Sequence, residues 1–92
     1  MAVEIKFFAN FREIVGDKKA SADARNVGEL LENLVDEHDD LKEEIFDEGD
    51  SEKVNDLVNI LVNGRRIESL NGLDTELNDG DSVAIFPPVS GG

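Results

Sequence analysis

An α+β fold, a set of strands with one main helix, is predicted by three observations. Val3, Ile5 and Phe7 alternate with Glu4 and Lys6, which is the period of a half-buried strand. Val27, Leu30, Leu31, Leu34 and Val35 instead follow the i, i+3, i+4 spacing of a helix with one buried stripe. Leu57 to Val62 is an almost unbroken apolar run ending at Asn63-Gly64, the strongest short signal for a two-residue hairpin turn.

The elements follow in order. After the first strand, Asn10-Phe11-Arg12-Glu13 reads as a capping box, with Asn10 as N-cap and Glu13 at the third helical position. Phe11, Ile14 and Val15 share one face of that short helix, and Gly16 ends it. Lys19 to Ala24 alternates again, with Ala20, Ala22 and Ala24 on one side, although alanine forms strands poorly. A second capping box, Asn26-Val27-Gly28-Glu29, opens the main helix, and His38 falls at its end. Asp39 or Asp40 can cap a further turn carrying Leu41, Ile45 and Phe46.

From Asp47 to Asp56 the chain is polar and reads as a loop. The carboxylates of Asp47, Glu48 and Asp50 depart from the spacing of the twelve-residue calcium loop, so no metal site is expected. The hairpin returns through Arg65-Arg66-Ile67, and Asp79-Gly80-Asp81 marks a turn before the last strand, Ser82 to Phe86. Leu57 to Val62 is apolar at nearly every position except Asn59, which suits a strand covered on both faces. One face is expected to meet the core. The other faces either a partner or the acidic loop.

Composition narrows the function. A chain of 92 residues makes one domain and leaves little room for a large catalytic cleft. The absence of cysteine removes disulfides, thiolate nucleophiles and soft metal ligands. The formal net charge of -13 speaks against nucleic acid, whose phosphates need clustered Lys and Arg. No window reaches the ~18 apolar residues of a membrane span, and Met1 to Lys6 lacks the pattern of a signal peptide. The expectation is a soluble, cytoplasmic protein. His38 is the sole histidine, and none of the serines sits in a Gly-flanked nucleophile turn. Catalysis by the domain body is therefore not expected, and no bound cofactor is expected either.

The end of the chain is expected to carry the chemistry. Pro87 and Pro88 lack the N–H that a ladder needs, so the last strand must stop at Phe86. Residues before proline favour extended backbone, so the chain leaves the domain stiff and loosens only at Ser90. The division expected is a domain over 1–86 and a tail over 87–92, reaching up to roughly 20 Å at about 3.3 Å per residue. Gly91 and Gly92 can pass through a channel too narrow for a side chain, and they present a carboxylate that becomes electrophilic once activated.

Two segments give the chain a family likeness. Lys6-Phe7-Phe8-Ala9-Asn10-Phe11-Arg12-Glu13-Ile14-Val15-Gly16 is one, and Gly80-Asp81-Ser82-Val83-Ala84-Ile85-Phe86 running into Pro87-Pro88-Val89-Ser90-Gly91-Gly92 is the other. With the strand order, they make the chain resemble the β-grasp sulfur carriers of the MoaD and ThiS superfamily, which includes the ubiquitin-like small archaeal modifier proteins. The Phe-Pro-Pro stretch is similar to the branch of the molybdopterin synthase small subunit. The resemblance implies a ubiquitin-like β-grasp fold, a mixed sheet grasping the main helix, with the first and last strands adjacent and parallel at its centre.

It also implies that an activating enzyme of the ubiquitin-activating type (E1-like) uses ATP to adenylate Gly92. The adenylate would become a thiocarboxylate that delivers sulfur within the large subunit of molybdopterin synthase, for molybdenum cofactor synthesis. In the alternative, Gly92 would be joined to lysine amines of target proteins. Gly91, Ser90, Val89, Pro88 and Pro87 would thread into the partner. Phe86, Phe8, Leu61 and Arg65 are the candidates for a docking face, with packing at the strand end the other reading of Phe86. The acidic stretch around Asp47 to Asp56 departs most from leaner family members.

Its carboxylates, dense from Asp36 to Asp56, read foremost as a solvated face rather than a docking surface for a basic partner. Their mutual repulsion should be screened by salt. The melting temperature is expected to rise from low to molar potassium chloride; a flat or falling trend would refute the repulsion.

Overall fold

The fold is drawn from a computed structural model that describes residues 2–8, 10–47, 50–54 and 58–86. Strand β1 (Ala2–Phe7) is followed by helix α1 (Asn10–Val15), strand β2 (Lys19–Asp23), the main helix α2 (Val27–Glu37) and the short helix α3 (Asp40–Ile45). Then come β3 (Phe46–Asp47), β4 (Asp50–Val54), β5 (Asn59–Val62), β6 (Arg65–Arg66), two single 3-10 turns and β7 (Ser82–Phe86). Five strands form one sheet in the order β2-β1-β7-β5-β6. β1 and β7 run parallel, while β2, β5 and β6 join by antiparallel pairing. This is the mixed sheet and the parallel pairing of first and last strands that the family resemblance implied.

The periodicities set the core. Val3, Ile5 and Phe7 of β1, Val83 and Ile85 of β7, and Ile60 and Val62 of β5 are buried on one face of the sheet. Val27, Leu30, Leu31 and Leu34 of α2 close over them in the same cluster. Each such side chain contributes about 1.5–3 kcal/mol when fully buried. Leu41, Ile45 and Phe46 seal one side of that cluster, as the apolar spacing after Asp40 predicts. Ala24 is fully buried, and Ala20 and Ala22 pack partly against the core.

The Asn26 half of the α2 capping box forms: its side-chain oxygen accepts from the Glu29 N–H at 2.8 Å. The Glu29 carboxylate stands 3.6 Å from the Arg25 guanidinium. At the other end the His38 N–H donates to the Leu34 carbonyl at 2.8 Å. Asp39 occupies the cap position of α3 without a side-chain bond to the helix. α1 begins at Asn10 itself, so Asn10 is a helical residue rather than the cap before it. Gly16 closes α1 through its N–H to the Arg12 carbonyl at 2.9 Å.

The main departure from expectation lies between 46 and 54. The polar stretch read as a loop contains a two-stranded antiparallel ribbon, with Phe46 paired to Val54 and Asp47 to Asp50. Backbone pairing needs no apolar alternation, and this acidic stretch has none to announce it. The side chains proposed there as a solvated face lie outside what is described. Strand β5 begins at Asn59, two residues later than the apolar run suggests; Leu57 lies outside the described residues, while Val58 is buried.

One hydrogen-bonded knot locks the sheet's centre. Asn63 and Gly64 both take positive φ, 52° and 84°, as the two central residues of the hairpin turn between β5 and β6. The Asn63 side chain accepts from Ser82 N–H at 3.0 Å and donates to the Asp81 carboxylate at 3.1 Å. Asp81 also accepts from the Asn78 N–H at 2.8 Å, and its carbonyl accepts from Glu4 N–H at 3.0 Å. These bonds to Asn78 first, and to Asn63 second, hold the exposed Asp81 carboxyl below its ordinary pKa of 3.8. A depressed carboxyl pKa contributes stability above the unfolded value and loses it as pH falls through the folded one. Asp81→Asn should therefore destabilise the protein most above about pH 4, and the gap to the parent should close as pH falls below that. Urea unfolding of both proteins across pH would check it, and a gap constant with pH would refute the assignment.

Candidate functional site

Because β1 and β7 are parallel with Phe7 opposite Ile85 and Lys6 opposite Ala84, Phe8 and Phe86 fall side by side one step further on. Strand alternation puts both on the face away from α2. Their rings stack with centroids 4.2 Å apart and planes inclined by only 11°. From α1, the Arg12 guanidinium lies 5.8 Å from the Phe8 ring centre, within cation–π range. Its Nε also donates to the Phe7 carbonyl at 3.3 Å. Arg12, Phe8 and Phe86 thus tie α1 to the end of the last strand. Phe86 is half-buried against Phe8, so the packing and docking readings of this residue both have a physical basis.

The register extends this outer face across the sheet. Lys19 lies opposite Lys6, Lys6 opposite Ala84, Ala84 opposite Leu61, and Leu61 opposite Arg66. Leu61 is half-buried there, on the side away from the core. Arg65, expected on this face, is not on it. The two-residue turn pairs Arg65 with inward-facing Val62, so Arg66 takes the place beside Leu61. Arg66 is held by Glu68 at 2.8 Å.

The sequence reading missed Lys6, Lys19, Arg12 and Arg66, four of the nine basic residues in the chain. The period of β1 could have shown Lys6 beside Phe8, but Lys19 and Arg66 enter only through pairing register. Lys6 and Lys19 are directly opposed like charges, an arrangement that costs stability. Glu4 offsets it in part, 3.9 Å from Lys6. In a chain of net charge -13, an apolar centre bordered by cations is a local reversal of sign that suits an acidic partner surface.

Pro87, Pro88, Val89, Ser90, Gly91 and Gly92, the expected threading and reacting residues, lie outside the described residues. What the fold fixes is their root at Phe86, beside Phe8. His38 is half-buried at the end of α2. Among the described residues no helix is long and apolar enough to cross a membrane, and no group of His, Asp and Glu side chains is placed to hold a metal.

The model of the ThiS family matches residues 5–92. Small archaeal modifier protein 3 of Haloferax volcanii is 43% identical over the whole of both chains. The sulfur carrier protein CysO of Mycobacterium tuberculosis is 35% identical over 84% of this chain and 83% of its own. The solution structure of small archaeal modifier protein 1 from Methanosarcina acetivorans superposes with a TM-score of 0.90 at 40% identity, covering 99% of this chain and 96% of that one. A structure from Pyrococcus furiosus, provisionally named molybdopterin converting factor, subunit 1, gives 0.76 at 39% identity over 97% and 99%. These relatives are modifiers and carriers rather than enzymes, which agrees with the expectation that this chain is acted upon.

The aromatic stack predicts measurable coupling. Phe8→Ala and Phe86→Ala should each destabilise the protein, and the double variant should lose less than their sum by about 0.5–1.5 kcal/mol. Denaturant unfolding of the four proteins in the cycle measures this, and strict additivity would show that the rings do not support one another.

Proposed function

The chain belongs to the ThiS family of small β-grasp proteins that includes sulfur carriers and ubiquitin-like modifiers, and on that premise we propose that its Gly92 carboxylate is the reacting group. An activating enzyme would bind the outer face and receive the tail. A Gly92 carboxylate oxygen would attack the α-phosphorus of ATP, releasing pyrophosphate and leaving an acyl-adenylate. A sulfide-level donor, hydrosulfide or its equivalent, then attacks the carbonyl carbon, the bond to the phosphate oxygen breaks and AMP departs, so that one carboxyl oxygen is replaced by sulfur without a change of oxidation state. ATP is consumed by the enzyme and is not a cofactor of this chain.

Delivery of that sulfur to a pterin precursor, with the large subunit of molybdopterin synthase as partner, is the first reading. It is carried by the Phe86-Pro87-Pro88 run into Gly91-Gly92. The likeness to the Pyrococcus furiosus chain supports it. A second reading, conjugation to lysines, is favoured by full-length similarity to the Haloferax volcanii modifier. Both use the same adenylate and differ in the nucleophile. A lysine amine, with a reference pKa near 10.4, must be deprotonated by the partner before it can attack.

The domain's contribution is placement. Phe8, Phe86 and Leu61 offer apolar area, and Arg12, Lys6, Lys19 and Arg66 steer an acidic partner, which acts on association rate more than on final affinity. Pro87 and Pro88 have no backbone N–H, so neither could donate to a continuation of the ladder beyond Phe86.

Intact mass after incubation with the host's activating enzyme, ATP and a sulfur donor tests the proposal. A shift matching oxygen-to-sulfur replacement, localised to Gly92, is expected, and deletion of Gly91-Gly92 should abolish it without lowering stability. Retention of the modification in the truncated protein would overturn the assignment to Gly92. Isopeptide-linked Gly92 on lysines, without a thiocarboxylate, would select the second reading.

A further inference from the structure

The sheet has an open edge at β2, and that edge borders a groove of ≈ 330 Å³ against the C-terminal half of α2. The groove exists because Ala20 and Ala22 are too short to fill the space between strand and helix; Ile5 and Leu34 form its apolar floor. The Asn33 side-chain amide reaches the Asp23 carbonyl at 3.4 Å and closes one end.

The edge is presented for pairing. Phe7 N–H donates to the Lys18 carbonyl at 2.9 Å, which fixes the alternation of the antiparallel ladder. With Ile5 opposite Ala20 and Val3 opposite Ala22, these residues direct their backbone groups to β1. Lys19 and Ser21 therefore direct their N–H and C=O groups outward, along the mouth of the groove.

The charge around the groove specifies what fits. Asp36 and Glu37 line it from the last turn of α2, which contains no basic residue. Two carboxylates beside the negative end of a helix dipole repel it, and a cation placed there would relieve that repulsion. A basic peptide is thus favoured over an acidic or neutral one.

We propose that the β2–α2 groove binds an extended segment of a partner protein as an added strand, with aliphatic side chains entering the groove at alternate positions and Lys or Arg meeting Asp36 and Glu37. Backbone hydrogen bonds to Lys19 and Ser21 would supply register, and the shallow groove beside Ala20 and Ala22 would favour Val or Ile over aromatic residues. This site is distinct from the tail and adjoins the outer face only at Lys19, whose backbone serves the edge while its side chain lies on that face. It would let a carrier or modifier be recognised without engaging its reactive end, and it stands whichever acyl acceptor is used.

The test titrates the isotope-labelled full chain with an acetylated probe peptide, Arg-Val-Val-Ile-Val-Lys, following amide shifts and hydrogen exchange by NMR. The expected result is perturbation centred on residues 19–23 and 33–38, with slowed exchange at the Ser21 amide. Methylating alternate backbone nitrogens of the probe, or replacing its Arg and Lys by Glu, should each weaken binding by roughly tenfold, the scale of about 1.4 kcal/mol. Ser21→Pro removes an outward N–H while leaving the bonds to β1 intact, and should abolish slowed exchange along the edge with the folded spectrum retained. Should that variant unfold, Asp36→Lys with Glu37→Lys provides an independent readout on the helix surface, expected to weaken the basic probe at least tenfold. Perturbation confined to the outer face, binding indifferent to N-methylation, or shifts at β2 that depend on protein concentration without peptide would each overturn the proposal, the last by assigning the edge to self-association.

Discussion

The parallel pairing of β1 with β7 is the contact on which the rest depends. It joins the beginning of the chain to residues more than seventy positions later, and parallel strands cannot be joined by a tight turn. The intervening chain must cross over, and α2 covers the sheet's inner face on the way. Val3, Ile5 and Phe7 then meet Val83 and Ile85 across the same pair. The cost of closing so long a loop grows only slowly with its length, whereas the pairing brings two apolar strands to the centre of the core.

The same register fixes the proposed functional geometry. One step beyond Phe7 and Ile85, Phe8 and Phe86 must be neighbours, and the ring stack with Arg12 above it holds the point from which the tail departs. A one-residue slip of β7 against β1 would turn Phe86 toward the core and Ile85 away from it, and would separate Phe86 from Phe8. The knot of Asn63, Asp81 and Ser82 at the other end of β7 opposes such a slip, since its bonds join β5, β7 and β1 at defined positions. Under the proposed function, a fixed root at Phe86 would let a partner find the Gly92 carboxylate at a defined distance from the sheet.

Charge is divided between the surfaces. The molecule is strongly acidic, yet the outer face gathers Lys6, Lys19, Arg12 and Arg66 around an apolar centre, while the groove beside β2 is lined by Asp36 and Glu37. An acidic surface and a basic segment would thus be drawn to different sides of one small sheet. Opposed lysines and carboxylates at a helix C-terminus both oppose local stability. Their presence on the two candidate surfaces is the physical ground for reading those surfaces as sites of interaction.

Period and end chemistry determined a great deal without coordinates. Alternation in β1 and the five-residue stripe of α2 identified their buried faces, because side-chain direction follows directly from local backbone geometry. Asn26 with Glu29, and Asn63-Gly64, were legible because caps and tight turns are satisfied within four residues. The family likeness was legible in the tail and the first strand for the same reason: its motifs are contiguous. Tertiary structure decided what depends on residues far apart in the chain. It put Arg66 rather than Arg65 beside Leu61, set Lys19 across from Lys6, stacked Phe8 on Phe86, and paired Phe46 with Val54 in a stretch too polar to signal a strand. Those are matters of register between strands, and register is fixed by cooperative packing of the whole sheet rather than by any local sequence preference.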